Sequence, residues 1–405
     1  MKILLVHRYI RPDTPGYAHM LYIMGKRFAA QGHEVTIFST QPSYHDAYEG
    51  PPLPRRQQVD GMTIIRTPLL KESKRNTFLR ALNFLIFGLS VFMHAVFRGK
   101  AYDLMTVSTL PPTFMGFVAR VIGLFRRTRY IYHCMDLYPE VALVSGLIKM
   151  KWVSKFAAAV DRRNCKKAIA VVVLSTDMLD TIHKRGLPDT NVYVINNFVI
   201  NSLDPEAQVP EFFKQTQDKF RVLFAGNIGR FQSLDTIVSA AQLLGSNQDI
   251  EFWFVGSGVM VDSLKEQSQD LLGKTIFFHP HLPIETVMSV IAQAHLGIVS
   301  LSPGIIECAY PSKTMSYLEA GCKLLVMVEK DADIARFVKA EKIGVSTSEP
   351  KPEIVAQAIE SEFQKWKESR YDRERIREVG RANFSQDVIL DRWVGLLAEL
   401  ESRMS

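Results

Sequence analysis

The chain has 405 residues, of which 47% are hydrophobic and 22% charged, so it is long enough for about two globular domains and its composition excludes a disordered chain. Its four cysteines form no C-x-x-C pair, which indicates neither a zinc site nor a disulfide framework. The net charge of +7 is uneven, with +14 in residues 1–200 and −7 in residues 201–405. A basic half predicts an anionic partner, either nucleic acid or an anionic membrane surface.

The first half alternates buried-strand and helix patterns. Residues 2–7 predict a strand, Ala18 to Ala30 a helix, and Val35 to Ser39 the next strand, which together form a βαβ unit. Further strands are predicted at Asp103–Ser108, Tyr130–His133, Ala168–Leu174 and Val192–Ile195. No G-x-G-x-x-G follows the first strand, so the nicotinamide-dinucleotide fingerprint is absent.

Residues 78–97 are the most apolar segment of the chain and have about the length of a membrane-spanning helix. Three interpretations stay open: a membrane span, a helix wholly buried in the domain, and a helix lying partly in the membrane interface. Arg80, Asn83 and His94 interrupt the segment, which weakens the first. Cations follow at 126–129 and around Trp152, a combination typical of a membrane surface that favours the third.

The alternation restarts after a polar, proline-containing linker at residues 201–217. A predicted strand at Phe220–Ala225 runs into Gly226, and a second at Phe252–Val255 runs into Gly256. Glycine turns after strands allow a backbone to approach a ligand closely. Arg230, just beyond the first turn, is a candidate partner for a diphosphate.

The most informative stretch lies between two predicted strands, Leu296–Leu301 and Lys323–Val328. Residues 310–313, Tyr-Pro-Ser-Lys, predict a loop entering a helix with proline at the first helical position, where the free N–H groups favour a phosphate. Lys313 adds a full positive charge, and the carboxylate of Glu319 suits the two hydroxyls of a ribose. The alternative is an ordinary helix with a surface lysine and a surface glutamate.

This stretch resembles the donor site of the retaining GT-B glycosyltransferases of family four, which carry Glu, seven residues and a second Glu. Glu319 matches the second glutamate, and Pro311 stands at the first. Pro-Ser-Lys followed by Y-L-E-A-G is similar to the branch that transfers N-acetylfucosamine and related sugars in bacterial surface-polysaccharide assembly. The resemblance covers nearly the whole chain.

The resemblance implies an α/β fold of the GT-B type, with two doubly wound Rossmann-like domains and an interdomain cleft. Residues 1–200 would form the acceptor-side domain, 201–217 the linker and 218–383 the nucleotide-sugar donor domain. Residues 384–405 would form a last helix that crosses back to the first domain.

The resemblance also implies a set of site residues. Asp136, in the segment C-M-D-L-Y-P-E, would be the acceptor-side carboxylate, although a helix N-cap is the alternative. Glu307 and Lys313 complete the expected catalytic set. The expected donor-binding residues are Gly16, Gly226, Asn227, Arg230, Gly256, His281, Ser312, Lys313 and Glu319. The chain departs from the wider family at Asn227 and Gln232, where the family carries Arg and Lys.

The implied reaction is transfer of a sugar with retention, without a metal or cofactor, from a nucleotide sugar that we expect to be a UDP-activated N-acetylamino or deoxy sugar. The basic, apolar first half implies a polyprenyl-diphosphate-linked acceptor and a cytoplasmic protein that is peripheral on the inner face of the membrane. No nucleic-acid partner is expected. Two alternatives stay open, a non-hydrolysing nucleotide-sugar epimerase and a non-catalytic membrane scaffold.

Overall fold

A computed structural model divides the chain into two compact units, Met1–Ile200 with Ile389–Ser405, and Asn201–Val388. The structure describes residues 1–13, 16–43, 50–71, 77–98, 101–144, 146, 148, 150–187, 191–200, 208–214, 218–245, 247–368 and 371–404. Most of the predicted linker, 201–217, lies outside the described residues.

The first unit is built on an eight-stranded sheet. Its strands are β1 (Lys2–Val6), β2 (Glu34–Thr40), β3 (Arg56–Val59), β4 (Met62–Thr67), β5 (Leu104–Ser108), β6 (Arg129–His133), β7 (Ala170–Val173) and β8 (Val192–Val194). They lie in the order β3-β4-β2-β1-β5-β6-β7-β8, and only the β3–β4 pair is antiparallel. The order reverses between β1 and β5, which makes a switch point at the carboxyl edge of the sheet.

The second unit has a six-stranded sheet that is parallel throughout. Its strands are β9 (Phe220–Ala225), β10 (Ile250–Val255), β11 (Ile276–His279), β12 (Leu296–Ser300), β13 (Lys323–Met327) and β14 (Gly344–Thr347). The order β11-β10-β9-β12-β13-β14 places the switch point between β9 and β12. Open α/β sheets bind ligands outside the carboxyl ends of the strands at such a point.

Helices connect the parallel strands, as parallel pairing requires. In the first unit they are α1 (Gly16–Ala30), α2 (Thr77–Met93), α3 (Phe114–Arg126), α4 (Glu140–Val144), α5 (Lys151–Lys167) and α6 (Thr176–Lys184). In the second they are α7 (Glu211–Lys214), α8 (Leu234–Leu243), α9 (Val261–Gln267), α10 (Ile284–Gln293), α11 (Lys313–Glu319), α12 (Asp333–Glu341), α13 (Pro352–Lys367) and α14 (Arg373–Phe384). The last helix is α15 (Gln386–Met404).

The two faces of the first sheet are covered by different helices. On one face, Ile37 of β2 belongs to a core shared with α1 and α15. The next residue, Phe38, points to the opposite face and contacts Phe87 of α2, with the ring centres 6.2 Å apart. Helix α2 packs on α3, and α3 packs on α5, so these three helices form the outer layer of that second face.

Helix α2 occupies the apolar segment noted in the sequence and continues into a π-helical turn, His94–Arg98. Among the described residues, Phe78–Phe97 is the one helical stretch long and apolar enough to span a membrane, with a mean hydropathy of 1.6 and 33% of the window buried. Its buried side carries Phe87 and Val91, whereas Leu85 and Leu89 are 56% and 61% exposed. The interpretation of residues 78–97 as a helix wholly buried in the domain is therefore wrong.

The last helix completes the core of the first unit. Trp393 of α15 is fully buried and its indole lies 4.9 Å from the imidazole of His133, at the end of β6. At the helix surface, Tyr193 donates a hydrogen bond to Glu399 at 2.6 Å. The first sheet therefore depends on residues from both ends of the chain.

Candidate active site

Two glycine turns close the carboxyl ends of β9 and β10. Gly226 and Gly256 have φ values of 132° and 148°, which residues with a side chain rarely adopt. A Cβ atom on Gly256 would lie 1.9 Å from the carbonyl oxygen of Gly226, so the turns touch through backbone atoms. The amide of Gly226 donates to the carbonyl of Val255 at 2.8 Å and fixes the pair.

Lys313 lies beside these turns. Its ammonium nitrogen is 4.6 Å from the centre of the Phe224 ring on β9. A Cβ atom on Gly226 would come within 2.8 Å of Lys313 Cε, so the glycine leaves space for the lysine. Burial lowers the pKa of Lys313 from 10.5 to about 8, because no ion pair among the described residues compensates the loss of water around its charge.

Tyr317 fixes the helix that carries Lys313. Its hydroxyl accepts a hydrogen bond from the amide of Ala225 at 3.0 Å and donates one to the carbonyl of Leu223 at 3.3 Å. On β12, a Cβ atom on Gly297 would lie 2.6 Å from the Tyr317 ring, so the glycine makes room for the tyrosine. These contacts hold α11 against the switch point between β9 and β12.

The predicted start of this helix is wrong by two residues. Helix α11 begins at Lys313 and covers seven residues, so Pro311 is not its first residue. Ser312 is exposed and makes no capping hydrogen bond through its side chain. Because two helical turns sum few peptide dipoles, the positive charge at this place comes mainly from Lys313.

Glu319 stands at the other end of α11. Helix rise alone separates it from Lys313 by about 9 Å, which suits contacts to two ends of one ligand rather than a shared contact. Burial raises the pKa of the Glu319 carboxyl, while Arg381 and Arg377 act in the opposite direction.

The other predicted donor residues of this unit are exposed: Asn227, Arg230, His281 and Glu307. The amide of Gly229 donates to Gln232 Oε1 at 2.9 Å, so Gln232 closes the turn that carries Arg230. This hydrogen bond gives a structural reason for Gln232 at the position where the family pattern has lysine.

Two predicted residues belong to the first unit. Gly16 is exposed and is the first residue of α1. Asp136 follows β6 by three residues, and its amide donates to Thr109 Oγ1 at 3.4 Å. Burial raises the pKa of the Asp136 carboxyl from 3.8 to about 6. A carboxylate with such a pKa is charged at neutral pH and better placed than an ordinary aspartate to accept a proton.

Glu140, in the same motif, has a structural task. Arg185 donates to both oxygens of the Glu140 carboxylate and, at 2.6 Å, to Asp161 Oδ2. Asp161 also accepts a hydrogen bond from Tyr132 at 2.7 Å. This buried network fixes α4 and α5 to the sheet, so Glu140 is committed to Arg185.

A polar cluster at the first switch point was missed by the sequence analysis. His7 Nδ1 lies 2.7 Å from Ser108 Oγ, which joins the ends of β1 and β5. Tyr17 OH lies 2.9 Å from Nδ1 of His133, and the rings of His7 and Tyr17 are 4.6 Å apart. Burial lowers the pKa of each histidine to about 3, so both are neutral. The available signal was the position of His7, Ser108 and His133 at strand ends.

The described residues contain no group of three His, Cys, Asp or Glu side chains able to hold a metal ion.

Comparisons with known proteins bear on the fold and on the class of enzyme. Residues 16–197 match the family "Glycosyl transferase 4-like domain". The chain is 22% identical over 355 residues to the "Putative colanic acid biosynthesis glycosyl transferase WcaI" of Escherichia coli K12, covering 83% of this chain and 86% of that protein. It is 25% identical over 234 residues to the "Probable glycosyltransferase WbjE" of Pseudomonas aeruginosa, covering 56% of this chain and 57% of that protein.

Solved structures share the fold over the full length. The crystal structure of Anabaena Alr3699/HepE in complex with UDP superposes with a TM-score of 0.70 at 14% identity, covering 98% of this chain and 100% of that one. The chain is a glycosyltransferase of GT-B fold. This confirms the predicted fold class and enzyme class.

We predict that Lys313 of this glycosyltransferase loses its proton near pH 8, whereas an exposed lysine titrates near the usual value of about 10.4. NMR of Cε-labelled lysines over a pH series would measure this, and the signal that disappears in Lys313→Arg would identify Lys313. Between the two pKa values the unfolded chain binds the extra proton, so stability should rise with pH relative to Lys313→Met. If all lysine signals titrate above about pH 10, burial of this ammonium is wrong.

Proposed function

We propose that this glycosyltransferase moves a sugar from a UDP-sugar to a lipid-linked saccharide, with retention at the anomeric carbon, during assembly of a bacterial surface polysaccharide. The named relatives support the pathway, since one is described by colanic acid biosynthesis. UDP in the HepE crystal supports the donor nucleotide. The sugar itself, an N-acetylamino or deoxy sugar, rests on the resemblance at residues 311–321.

The observation that carries the proposal is the desolvated ammonium of the half-buried Lys313, which has no carboxylate partner among the described residues. It lies beside the Gly226 turn, at the carboxyl edge of the second sheet. A diphosphate leaving group gains negative charge as the bond to the sugar breaks, and a fixed cation in a water-poor site stabilises that charge strongly. A bound diphosphate would also give the Lys313 ammonium an anionic partner, which the described residues do not supply.

The remaining roles follow from position and charge. Asp136 would accept the proton of the attacking hydroxyl, because its raised pKa keeps it near the working range of a general base. Glu319 would hold the ribose hydroxyls, one helix length from Lys313. Arg230 and Glu307, both exposed, would contact the diphosphate and the sugar hydroxyls.

Replacing Lys313 by methionine keeps most of the buried volume and removes the charge. We expect transfer to fall by about 10²- to 10³-fold, the usual loss when one stabilising group is removed from a developing anion, with the fold retained. Thermal shift against a panel of UDP-, GDP- and dTDP-sugars would identify the donor. Turnover would then be measured as release of the donor's nucleotide in the presence of a polyprenyl-diphosphate-linked saccharide as acceptor.

Lys330→Met is the matched control, since Lys330 is exposed in the same unit. Unchanged turnover in Lys313→Met would overturn the role of this lysine. Product formed from the donor alone would favour an epimerase, and absence of any donor shift would favour a scaffold.

The membrane contact of the proposal rests on an exposed apolar face of the first unit. We define the apolar face as the exposed apolar side chains of α2, its π-helical turn, α3 and α5: Phe78, Leu85, Leu89, Met93, Phe97, Phe117, Leu124, Phe125, Trp152 and Phe156. From Leu85 through Met93 to Phe97 in the π-helical turn, the exposed apolar positions recur every four residues, so they form one stripe along the helix. The opposite side of α2 is buried against its own unit, which favours a helix lying in the interface over one that crosses the bilayer.

We predict that Leu85→Ser with Leu89→Ser weakens binding to phospholipid vesicles by about tenfold or more, because each buried leucine contributes about 1.5–3 kcal/mol. Vesicle co-sedimentation would measure it. The control is Leu243→Ser with Val259→Ser in the second unit. Their side chains are 56% and 72% exposed, so they are at least as exposed as Leu85 and Leu89. Equal pelleting of both double variants and the wild type would contradict membrane docking by the apolar face.

A further inference from the structure

A basic cavity of about 620 Å³ lies in the first unit, apart from the residues assigned above. Five cationic side chains line it: Arg120, Arg127, Arg129, Lys167 and Arg403. None of the residues that line it is acidic. We call it the basic pocket.

Four of these cations have no carboxylate partner among the described residues: Arg120, Arg127, Arg129 and Lys167. Arg403 is the exception, since its guanidinium lies 3.6 Å from Glu399 and donates to Tyr193 OH at 3.2 Å. Like charges that converge in a concavity repel one another, and a bound anion removes that cost. The basic pocket therefore has the composition of an anion site.

Helix ends alone do not explain this charge. Cations are favoured at helix C-termini, and Arg127, Lys167 and Arg403 stand at the ends of α3, α5 and α15. Arg120, however, lies in the middle of α3, and Arg129 is the first residue of β6. Two of the five cations thus need another reason to be there.

The basic pocket is also separate from the acceptor edge. Arg129 begins β6, whereas His133 ends that strand and Asp136 follows it. Five strand residues span about 13 Å or more, so the pocket opens at the amino edge of the sheet and Asp136 lies at the carboxyl edge. An anion bound here would not be the one attacked or released in the transfer reaction.

The pocket borders the apolar face. Leu124 lines the pocket and is 79% exposed. The next residue, Phe125, contacts Phe92 of α2 with the ring centres 5.7 Å apart, and Phe92 contacts Phe97 at 6.2 Å. Cations and exposed apolar side chains therefore form one continuous surface.

We propose that the basic pocket binds the phosphate of an anionic phospholipid headgroup, while the adjacent apolar face receives the acyl chains. Guanidinium groups suit this task, because their planar donors pair with two phosphate oxygens at once. The inference rests on the proposed membrane contact of the protein and adds to it a preference for the class of lipid. The pocket would hold the first unit at one orientation on the bilayer.

The test compares two triple variants of the full chain. The pocket variant is Arg127→Gln, Arg129→Gln and Lys167→Gln. The control variant, Arg162→Gln, Arg163→Gln and Lys166→Gln, removes the same charge from exposed positions of α5 outside the pocket. Co-sedimentation uses vesicles of phosphatidylcholine alone and of phosphatidylcholine mixed in equal parts with phosphatidylglycerol, at several salt concentrations.

We expect the pocket variant to bind the anionic vesicles about tenfold more weakly than the control variant, since charge-assisted hydrogen bonds are lost as well as diffuse attraction. Binding to phosphatidylcholine alone should be equal in both. Equal losses on anionic vesicles would overturn the pocket and leave only diffuse attraction. Thermal stabilisation of the wild type by millimolar inorganic phosphate that the pocket variant lacks, together with equal vesicle binding by both triple variants, would identify a soluble phosphate as the ligand and also overturn it.

Failure of this inference and failure of the proposed function give different results. Nucleotide-sugar binding and transfer to a detergent-solubilised acceptor should be unchanged in the pocket variant, because none of its residues belongs to the candidate active site. If Leu85→Ser with Leu89→Ser weakens vesicle binding and the pocket variant does not, membrane docking by the apolar face is retained and the pocket is rejected. Vesicle binding that neither variant alters would reject both.

Discussion

The second unit holds a desolvated lysine ammonium, that of Lys313, to which none of the described residues supplies a counter-ion. Its charge costs free energy in the absence of a ligand, which is why the pKa of Lys313 falls to about 8. Three neighbouring residues make this position possible. Gly226 has no side chain to collide with Lys313, and the ring of Phe224 contacts the ammonium. Tyr317 is hydrogen-bonded to β9 and so fixes the helix that carries Lys313. Under the proposed function, a bound anion would offset the free-energy cost of desolvating this ammonium.

The first unit distributes positive charge differently. Its excess of cations is not gathered at the carboxyl edge, where His7 and His133 are held neutral by burial. It lies instead on the outer helices and in the basic pocket, next to exposed apolar side chains. Under the proposed function, the second unit would present the ammonium of Lys313 to a small ligand, whereas the first unit has a broad basic and apolar surface.

Periodic patterns predicted most strands of the two sheets, since buried-strand runs and intervening helices are local features, but they predicted no strand at β3, β4 or β14. The turn glycines at 226 and 256 were predicted because each follows a strand, and Lys313 was singled out because it lies where a loop enters a helix between two strands. The length of α11 was not, since capping and tertiary contacts decide where a short helix begins. The pairing of Glu140 with Arg185, 45 residues away, could not be predicted from the sequence, because only the fold brings the two side chains together. The basic pocket joins residues 120 and 403, and only the tertiary structure brings such distant positions together.

The central claim is that the buried ammonium in the second unit is the seat of the donor diphosphate. A crystal structure of the protein with UDP tests it most directly. The account predicts a phosphate oxygen within hydrogen-bond distance of Lys313 Nζ, with the diphosphate over the Gly226 turn. A diphosphate bound elsewhere, with the Lys313 ammonium still covered by Phe224 and free of any anion, would contradict it.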